Sequence, residues 1–360
     1  KKTFNLTMKI GVVTFFGSNY GAILQCYALQ KILESLGHDV KTINRGWGKY
    51  ASSPSLKQKI KNLIFPNKFE LFKKKYIKFT PLIKNEQELL NLNNQFDSII
   101  VGSDQVWNAD CIKDMGKFYF LDWVSPSIKK YAYAVSFGKN TFDTTPSKIS
   151  DISSLVQSYK KISVREDSGK TICKDILKCD AIHVLDPTLL LSSKHYDQLI
   201  NHSKTEKKYI CQYFLDNNEQ KNNIVHQIAS KLNLSVINNY PNNINQYKGL
   251  FLAKYRYPSV IEWLKNIRDA EFVITDSFHG TIFSLIFQKK FICINNKKRG
   301  STRFQSLLGE LDLLHRLIEV EDSKFIEKIK DILESPINYE TVNKVITEKR
   351  NSSLMFLKTL

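Results

Sequence analysis

A histidine lies where a predicted strand gives way to a predicted helix. Residues 272–274 form an apolar run, and the triplet 275–277, Thr-Asp-Ser, has side chains that bond local backbone and end strands. His279 and Gly280 follow, ahead of a helically spaced apolar run at residues 281–287. Ligands of open α/β sheets bind at such strand ends, so this imidazole can bind an anion or transfer a proton. The alternative is a surface histidine in a βα loop.

An arginine directly follows another predicted strand. Arg165 comes after the apolar residues 162–164 and before Glu166 and Asp167, an acidic pair that suits a helix N-terminus. Its guanidinium can bind a carboxylate or a phosphate through two parallel hydrogen bonds. A salt bridge to Glu166 or Asp167 is the alternative interpretation.

A cluster of cations follows the strand after the histidine. Residues 295–303 include Lys298, Arg299 and Arg303. Because one strand end carries His279 and the next carries these cations, the pattern favours an anion site at this edge of the sheet. A solvated loop is the alternative.

The turn after the first predicted strand, residues 17–21, has glycines at both ends. Gly17 and Gly21 are four residues apart, so the turn is not a GxGxxG fingerprint. It precedes a helix and can hold a hydroxyl group or an anion through backbone N–H groups, although the turn alone favours a purely structural βα loop. We find no Ser-His-Asp order, paired carboxylates, Walker A loop or HExxH motif, and no metal site is predicted.

Strands and helices alternate along the chain, which predicts an α/β fold of two Rossmann-like domains facing a cleft. We place the N-terminal domain at residues 1–190, with a basic helical insertion at about 46–94. The C-terminal domain spans 191–335 and begins in a polar boundary stretch around 192–207, and a final helix at 336–360 can pack back on the N-terminal domain. Strands are predicted at residues 9–16, 40–43, 96–101, 130–135, 162–164, 181–185, 208–214, 234–237, 272–274 and 291–294.

Composition predicts a soluble globular protein. The 360 residues are 42% hydrophobic and 24% charged, and no apolar run approaches the ~18 residues of a membrane span. We expect no secretory signal, and six cysteines without a CxxC motif indicate reduced thiols in the cytoplasm. The net charge of +18 would suit nucleic acid, an acidic membrane or phosphorylated substrates. The lysines are spread widely, so a bias in genomic composition explains the charge equally well.

The polar turns, taken in order, resemble those of the polysaccharide pyruvyl transferase family. The resemblance runs from about residue 9 to residue 312 and leaves out residues 46–94. It implies a fold like that of GT-B glycosyltransferases without glycosyl transfer. The matching turns are Phe-Gly-Ser-Asn-Tyr-Gly-Ala at 16–22, Val-Gly-Ser-Asp-Gln-Val-Trp-Asn at 101–108, Ser-Val-Arg-Glu-Asp at 163–167, Asp-Pro-Thr at 186–188, Thr-Asp-Ser-Phe-His-Gly at 275–280 and Arg-Gly-Ser-Thr-Arg-Phe at 299–304.

This resemblance implies a reaction and a donor site. Such enzymes attach the enolpyruvyl group of phosphoenolpyruvate to a pair of sugar hydroxyls as a cyclic pyruvate ketal. His279 would be the general acid that protonates the methylene carbon, and Arg165 would bind the donor's carboxylate or phosphate. The implied donor-binding residues are Arg165, Ser277, His279, Gly280, Lys298, Arg299 and Arg303.

The acceptor side is implied to lie in the N-terminal domain, at Gly17, Asn19, Gly21 and Asp104. The acceptor would be a surface-polysaccharide or lipid-linked saccharide intermediate. Asp104 and Asp276 are candidates for the general base, and each is also explained as a structural cap. Phosphoenolpyruvate is a co-substrate, no other cofactor is implied, and a requirement for a divalent ion is left open.

Two other functions are weighed against this one. A nucleotide-sugar glycosyltransferase of the same architecture is the alternative enzyme. A basic binding protein for nucleic acid or an anionic membrane is disfavoured, because the lysines are diffuse and no nucleic-acid motif is found. Peripheral contact with an anionic membrane, at its inner face, is compatible with a cytoplasmic enzyme that uses a lipid-linked acceptor.

Overall fold

A computed structural model describes residues 7–46, 67–240, 257–322 and 324–360. They divide into two compact units. Unit 1 takes its described residues from 1–59, 73–190 and 348–360, and unit 2 takes its described residues from 60–72 and 191–347. Part of the predicted basic insertion, residues 47–66, lies outside the described residues.

Unit 1 is built on a six-stranded parallel sheet with the strand order β2-β1-β3-β4-β5-β6. A π-helical turn, Ile172–Ile176, extends helix α6 (Asp167–Thr171). The elements are β1 (Lys9–Val13), α1 (Tyr20–Ser35), β2 (Asp39–Thr42), α2 (Lys68–Tyr76, which begins in unit 2), α3 (Glu86–Leu90), β3 (Ser98–Val101), α4 (Ala109–Met115), β4 (Lys129–Val135), α5 (Pro146–Val156), β5 (Lys161–Val164), α6 (Asp167–Thr171) and β6 (Ile182–His183).

Unit 2 has a five-stranded parallel sheet with the strand order β11-β10-β9-β7-β8. Its elements are α7 (Ser193–Ile200), β7 (Tyr209–Tyr213), α8 (Glu219–Leu232), β8 (Ser235–Asn238), α9 (Val260–Asp269), β9 (Phe272–Thr275), α10 (Phe278–Ile286), β10 (Lys290–Ile294), α11 (Thr302–Glu310), β11 (Leu317–Ile318), α12 (Phe325–Glu334) and α13 (Tyr339–Leu357, which ends in unit 1). The predicted α/β class with two Rossmann-like units is confirmed.

The central strands are short apolar runs that are buried on both faces, as parallel sheets require. All four residues of β3 and of β9 are buried. In each sheet, the chain first adds strands on one side of the starting strand and then on the other side. The change of side lies between β1 and β3 in unit 1 and between β7 and β9 in unit 2. Ligands of open α/β sheets bind beyond the carboxyl ends of strands at such a switch point. The sheet order therefore identifies one edge in each unit for the functional residues.

The helices differ from the prediction at two places. The polar stretch 192–207, for which no helix is predicted, contains helix α7, whose cap Ser192 accepts a hydrogen bond from the backbone N–H of His195 at 3.3 Å. Burial of Tyr196 and Ile200 on one face stabilises this helix despite its polar sequence. Helix α10 begins at Phe278, three residues before the predicted start, so His279 lies inside the helix.

Apolar side chains pack on the sheets of both units. The core of unit 1 includes the fully buried Trp107, and the core of unit 2 includes the fully buried Trp263 and Phe283. Phe283 contacts Trp263 edge-on, with the ring centroids 5.3 Å apart, so α10 and α9 share one aromatic core. None of the helices in the described part of the chain combines the length and the apolar character needed to cross a bilayer.

Gly280 lies where α10 passes against the end of β9. A Cβ atom on this residue would lie 2.3 Å from Thr275 Oγ1 and 3.1 Å from the ring of Tyr213. The threonine hydroxyl is held in place, because it donates to the Tyr213 carbonyl at 2.7 Å and accepts from the Ser277 N–H at 3.1 Å. Glycine therefore allows the helix to start directly at the strand end.

Replacing Gly280 with alanine should destabilise unit 2 by about 1–3 kcal/mol, the usual range for overpacking. Urea-induced unfolding measures the change. Gly309→Ala in α11 is the matched control, since its added methyl would meet the nearest atom, from Leu314, at 3.7 Å. That substitution should be neutral or stabilise by about 0.5–1 kcal/mol. Equal stabilities of the two variants would show that the close approach at Gly280 is unimportant.

Candidate functional site

His279 lies in the first turn of α10, directly beyond the carboxyl end of β9. Ser277 caps this helix, and its hydroxyl accepts a hydrogen bond from the Gly280 N–H at 3.3 Å. His279 is only 6% exposed, so it is not the exposed loop histidine of the alternative interpretation. The N-terminal turn of a helix favours anions through its N–H groups and dipole. The imidazole is therefore placed beside a natural anion-binding position.

The buried Asp276 carboxylate accepts hydrogen bonds from residues that follow the neighbouring strands around His279. One oxygen accepts from the backbone N–H of Leu215 at 2.6 Å. The other accepts from the Lys221 ammonium at 2.7 Å, and from the Asp216 N–H and the Asn296 amide, each at 3.2 Å. Four accepted bonds fill the lone-pair positions of a carboxylate. Asp276 thus has the contacts of a structural anchor rather than those of a general base.

Arg299 is held by an aspartate that follows β7. Its Nε and Nη2 donate to the two oxygens of Asp216 at 2.5 and 3.1 Å. These bonds from Arg299 hold the pKa of Asp216 below its ordinary value, although partial burial acts in the opposite direction. Arg299 is 45% exposed in its side chain, so it is both accessible and partly neutralised. A donor anion at this loop would share the guanidinium with Asp216 or displace it.

The other two cations of the loop differ in exposure. Lys298 is exposed in a short 3₁₀ turn, Lys297–Arg299. Arg303 is buried, and its guanidinium carbon lies 5.2 Å from the ring centroid of Phe278. The same guanidinium donates to the Arg299 carbonyl at 2.5 Å. Arg303 therefore joins the basic loop to the first residue of α10, next to His279.

In unit 1, Arg165 follows β5 and its guanidinium is buried among carboxylates. Nη1 donates to Asp186 at 2.7 Å and to the hydroxyl of Ser103 at 3.3 Å, and Nη2 donates to Asp104 at 3.4 Å. The side chain is 1% exposed. These contacts join the ends of β3 and β5 to the segment that follows β6. The structure thus assigns Arg165 a positioning role, and its contact with a donor stays a prediction.

The predicted alternative for Arg165 is a salt bridge to Glu166 or Asp167, and the structure gives each of these carboxylates a different partner. Glu166 is fully buried and turns toward the end of β4. There it accepts hydrogen bonds from the Ser136 hydroxyl at 2.8 Å and from the backbone N–H of Phe137 at 2.9 Å. Asp167 is exposed and lies 3.4 Å from the Nδ1 atom of His183. Both carboxylates therefore have partners other than the guanidinium.

The predicted acceptor residues lie at the switch point of unit 1. Asn19 caps α1 and accepts from the Ala22 N–H at 3.2 Å, Gly17 is exposed, and Gly21 is buried in the first helical turn. Asp104 adopts a left-handed backbone conformation with φ of 82°. Its side chain accepts from the Gln105 N–H at 2.9 Å, which is the capping role considered for it. Such strain in a non-glycine residue is often found at functional sites.

Sequence reasoning missed three residues of the histidine site, namely Asp216, Lys221 and Asn296. Residues 215–218 form a polar turn at the end of β7, which is the same signal that identified the other strand ends. Lys221 lies in α8 with its ammonium bonded to Asp276, and a buried lysine on a helix has no distinctive spacing. The polar turn after β7 could have identified Asp216 from the sequence. No sequence signal could have identified Lys221.

The buried pair of Arg165 and Asp186 gives a stability prediction. Arg165→Gln leaves Asp186 without its cation in the interior, which should cost about 3–5 kcal/mol of the free energy of unfolding. Arg299→Gln removes the same charge from an exposed pair and should cost at most about 1 kcal/mol. Urea-induced unfolding of both variants provides the measurement. A cost for Arg165→Gln no greater than that for Arg299→Gln would contradict the assigned role.

Solved structures of low sequence identity share this fold. A UDP-GlcNAc 2-epimerase from Methanocaldococcus jannaschii is 14% identical with a TM-score of 0.52, covering 92% of this chain and 93% of that one. The Neisseria meningitidis UDP-GlcNAc 2-epimerase bound to UDP-GlcNAc is 13% identical with a TM-score of 0.53, covering 96% and 100%. The S. aureus MnaA–UDP structure is 10% identical with a TM-score of 0.55, covering 93% and 91%. The predicted GT-B-like fold is confirmed.

Sequence comparison identifies a family. No curated protein sequence matches the chain. The sequence pattern of the polysaccharide pyruvyl transferase family matches residues 19–298, a span that includes Arg165 and His279. Arg299 and Arg303 lie just beyond its end. Because the match covers most of the 360 residues, the chain belongs to the polysaccharide pyruvyl transferase family.

Proposed function

We propose that this enzyme transfers the enolpyruvyl group of phosphoenolpyruvate to two hydroxyls of one sugar. The product is a cyclic pyruvate ketal on a surface-polysaccharide or lipid-linked saccharide intermediate. The observation that carries the proposal is the position of His279. It lies in the first turn of α10, at the switch point of unit 2, in a chain that belongs to this family.

The proposed reaction needs one general acid, and two C–O bonds form at C2 of phosphoenolpyruvate. His279 gives a proton to the methylene carbon, and C2 becomes electrophilic. One sugar hydroxyl loses its proton and forms the first C–O bond to C2. The bond from C2 to the phosphate oxygen breaks, inorganic phosphate leaves, and the second hydroxyl closes the ketal with loss of its proton. The proposal assigns no residue as the base.

The donor carries a phosphate and a carboxylate, so two anionic groups must be bound. The N-terminus of α10, with Ser277, His279 and Gly280, suits one of them. Lys298, Arg299 and Arg303 supply positive charge in the adjacent loop. Arg165 is retained as a donor ligand in the proposal. Its guanidinium is already held by Asp186 and Asp104, which would fix its orientation before the donor binds.

The acceptor is assigned to unit 1, at Gly17, Asn19, Gly21 and Asp104. Exposed Gly17 offers backbone near the switch point, where a sugar hydroxyl can hydrogen-bond. We place the enzyme in the cytoplasm, with peripheral contact at the inner membrane face for a lipid-linked acceptor. No cofactor beyond the co-substrate phosphoenolpyruvate, and no nucleic acid, enters the proposal.

A nucleotide-sugar glycosyltransferase is the second candidate. It is favoured by the fold shared with proteins whose structures hold UDP-GlcNAc or UDP. Thermal-shift measurements separate the two candidates, because a ligand that binds the native state raises its melting temperature. Stabilisation by phosphoenolpyruvate supports the pyruvyl transferase, and stabilisation by UDP- or GDP-sugars alone supports the alternative.

Removing the imidazole should abolish transfer. For His279→Gln we expect kcat for phosphate release from phosphoenolpyruvate to fall by about 10²–10⁴-fold, the range for general acid–base catalysis. The assay measures phosphate release with a panel of saccharides that carry free hydroxyl pairs. His226→Gln, which changes an exposed histidine of α8, is the matched control and should retain wild-type turnover. Unchanged kcat in a folded His279→Gln variant would refute the assignment of the acid.

Asp216 should weaken donor binding by sharing Arg299. Asp216→Asn keeps the shape and removes the charge, so the Kd for phosphoenolpyruvate should fall several-fold, in line with the ~1 kcal/mol of an exposed pair. Isothermal titration calorimetry measures the change. Glu319→Gln removes the same charge from the partner of Lys297 and controls for general electrostatics. If Asp216→Asn binds phosphoenolpyruvate no more tightly than the wild type does, Arg299 is not part of the donor site.

A further inference from the structure

A polar groove lies in unit 1, away from the strand ends described above. It opens beside the first residue of β5, whereas Arg165 follows the last residue of that strand. Its volume is about 510 Å³. The walls come from the end of α5, the residues leading into β5, and the segment 174–180 after α6. None of the residues proposed for the transferase reaction lines this groove.

The groove is strongly basic. Lys160, Lys161, Lys174 and Lys178 line it, against the single carboxylate of Asp180. Lys161 donates to the hydroxyl of Thr359 at 2.7 Å, and Lys178 donates to the Asp175 carbonyl at 2.6 Å. Both partners are neutral groups, so they hold the ammonium groups in place without cancelling their charge. Such a field raises the local concentration of anionic molecules.

The wall of the groove also contains a thiol that differs from the other cysteines. Cys179 is half-buried, and the remaining five cysteines are buried. Burial raises the pKa of Cys26 and Cys293 to about 12. The pKa of Cys179 is instead lowered, because the Cys173 thiol hydrogen-bonds to its sulfur, and this outweighs partial burial. A partly exposed thiol of lowered pKa in basic surroundings has the features of a reactive cysteine.

Cys173 lies directly behind Cys179. The backbone N–H of Cys179 donates to the Cys173 carbonyl at 2.9 Å, where the chain leaves the π-helical turn. This bond brings the two residues together across the helix end, and the interaction between their thiols shifts the two pKa values in opposite directions. A reactive thiol beside a second, protected thiol is the arrangement of an attacking and a resolving cysteine.

We propose that Cys179 and Cys173 form a thiol–disulfide exchange site for anionic disulfides of the glutathione class. The Cys179 thiolate attacks one sulfur of the disulfide, the sulfur–sulfur bond breaks, and one thiol leaves. Cys173 then loses its proton and attacks the Cys179 sulfur, which releases the second thiol. One intramolecular disulfide replaces two protein thiols, and one disulfide is reduced to two thiols. The lysines attract the anionic reactant.

The order of attack follows first from accessibility, because Cys179 lines the groove and is half-buried whereas Cys173 is fully buried. The pKa of Cys173 is raised, first by donating to Cys179 and then by burial, so Cys173 is unreactive in the reduced protein. Once Cys179 carries a mixed disulfide, its sulfur is no longer a thiolate acceptor. The main cause that keeps Cys173 protonated is then lost, and the second step can follow.

Reaction of the purified full chain with glutathione disulfide tests this proposal by mass spectrometry. The wild type should lose two hydrogens, with peptide mapping placing a disulfide between Cys173 and Cys179. Cys173→Ala should trap a glutathione adduct on Cys179, and Cys179→Ser should give neither product. Cys111→Ser is the matched control and should behave as the wild type, since burial raises the pKa of Cys111 to about 12. A wild-type chain without this disulfide, or first modified at another cysteine, would overturn the proposal.

The role of the groove is tested by the charge of the reactant. The double variant Lys160→Ala/Lys174→Ala should react roughly three- to tenfold more slowly with glutathione disulfide, from the loss of electrostatic attraction. Its rate with the uncharged bis(2-hydroxyethyl) disulfide should match that of the wild type. Equal rate losses with both reagents, or no loss with either, would contradict recruitment by the lysines.

Discussion

A buried aspartate paired with a buried cation fixes the strand ends in each unit. In unit 2 the Asp276 carboxylate holds the Lys221 ammonium, and in unit 1 the Asp186 carboxylate holds the Arg165 guanidinium, each at 2.7 Å. Removing charges from water is costly, so each member of such a pair must keep its partner and its further hydrogen bonds. The loops that follow these strands therefore have little freedom. Both predicted catalytic residues depend on these anchors, Arg165 as a member and His279 as a near neighbour in sequence.

The placement of His279 follows from this constraint together with close packing. Asp276 bonds the backbone after β7 as well as the amide of Asn296 after β10, so three strand ends are held by one carboxylate. Gly280 lets α10 begin beside Thr275 with no intervening loop. The imidazole consequently lies in the first helical turn, where the backbone favours an anion. A histidine in a longer, mobile turn would lack both features.

The elements of the fold were largely predictable from local sequence, because buried parallel strands are continuous apolar runs. Arg165 and His279 were found because both follow such runs directly. The partners of the charged residues were not predictable. Asp186 lies 21 residues from Arg165, and Asp216 lies 83 residues from Arg299. These pairings depend on which strands are neighbours, and one sequence does not specify strand order.

The start of α10 illustrates a different limit. Ser277 is a good helix cap, yet the predicted helix starts at residue 281, directly after Gly280, and glycine disfavours helix interiors. The tertiary contact with Thr275 requires glycine there and overrides that propensity. The same reasoning explains α7, where burial of Tyr196 and Ile200 stabilises a helix in a sequence that is polar on average.

The central claim is that the N-terminus of α10 with His279 binds phosphoenolpyruvate. A crystal structure of the protein soaked with phosphoenolpyruvate tests it most directly. We expect electron density for the donor in contact with His279, with one anionic group at the first turn of α10. Density for the donor away from His279, or no donor density in crystals that bind a nucleotide sugar at this helix, would contradict it.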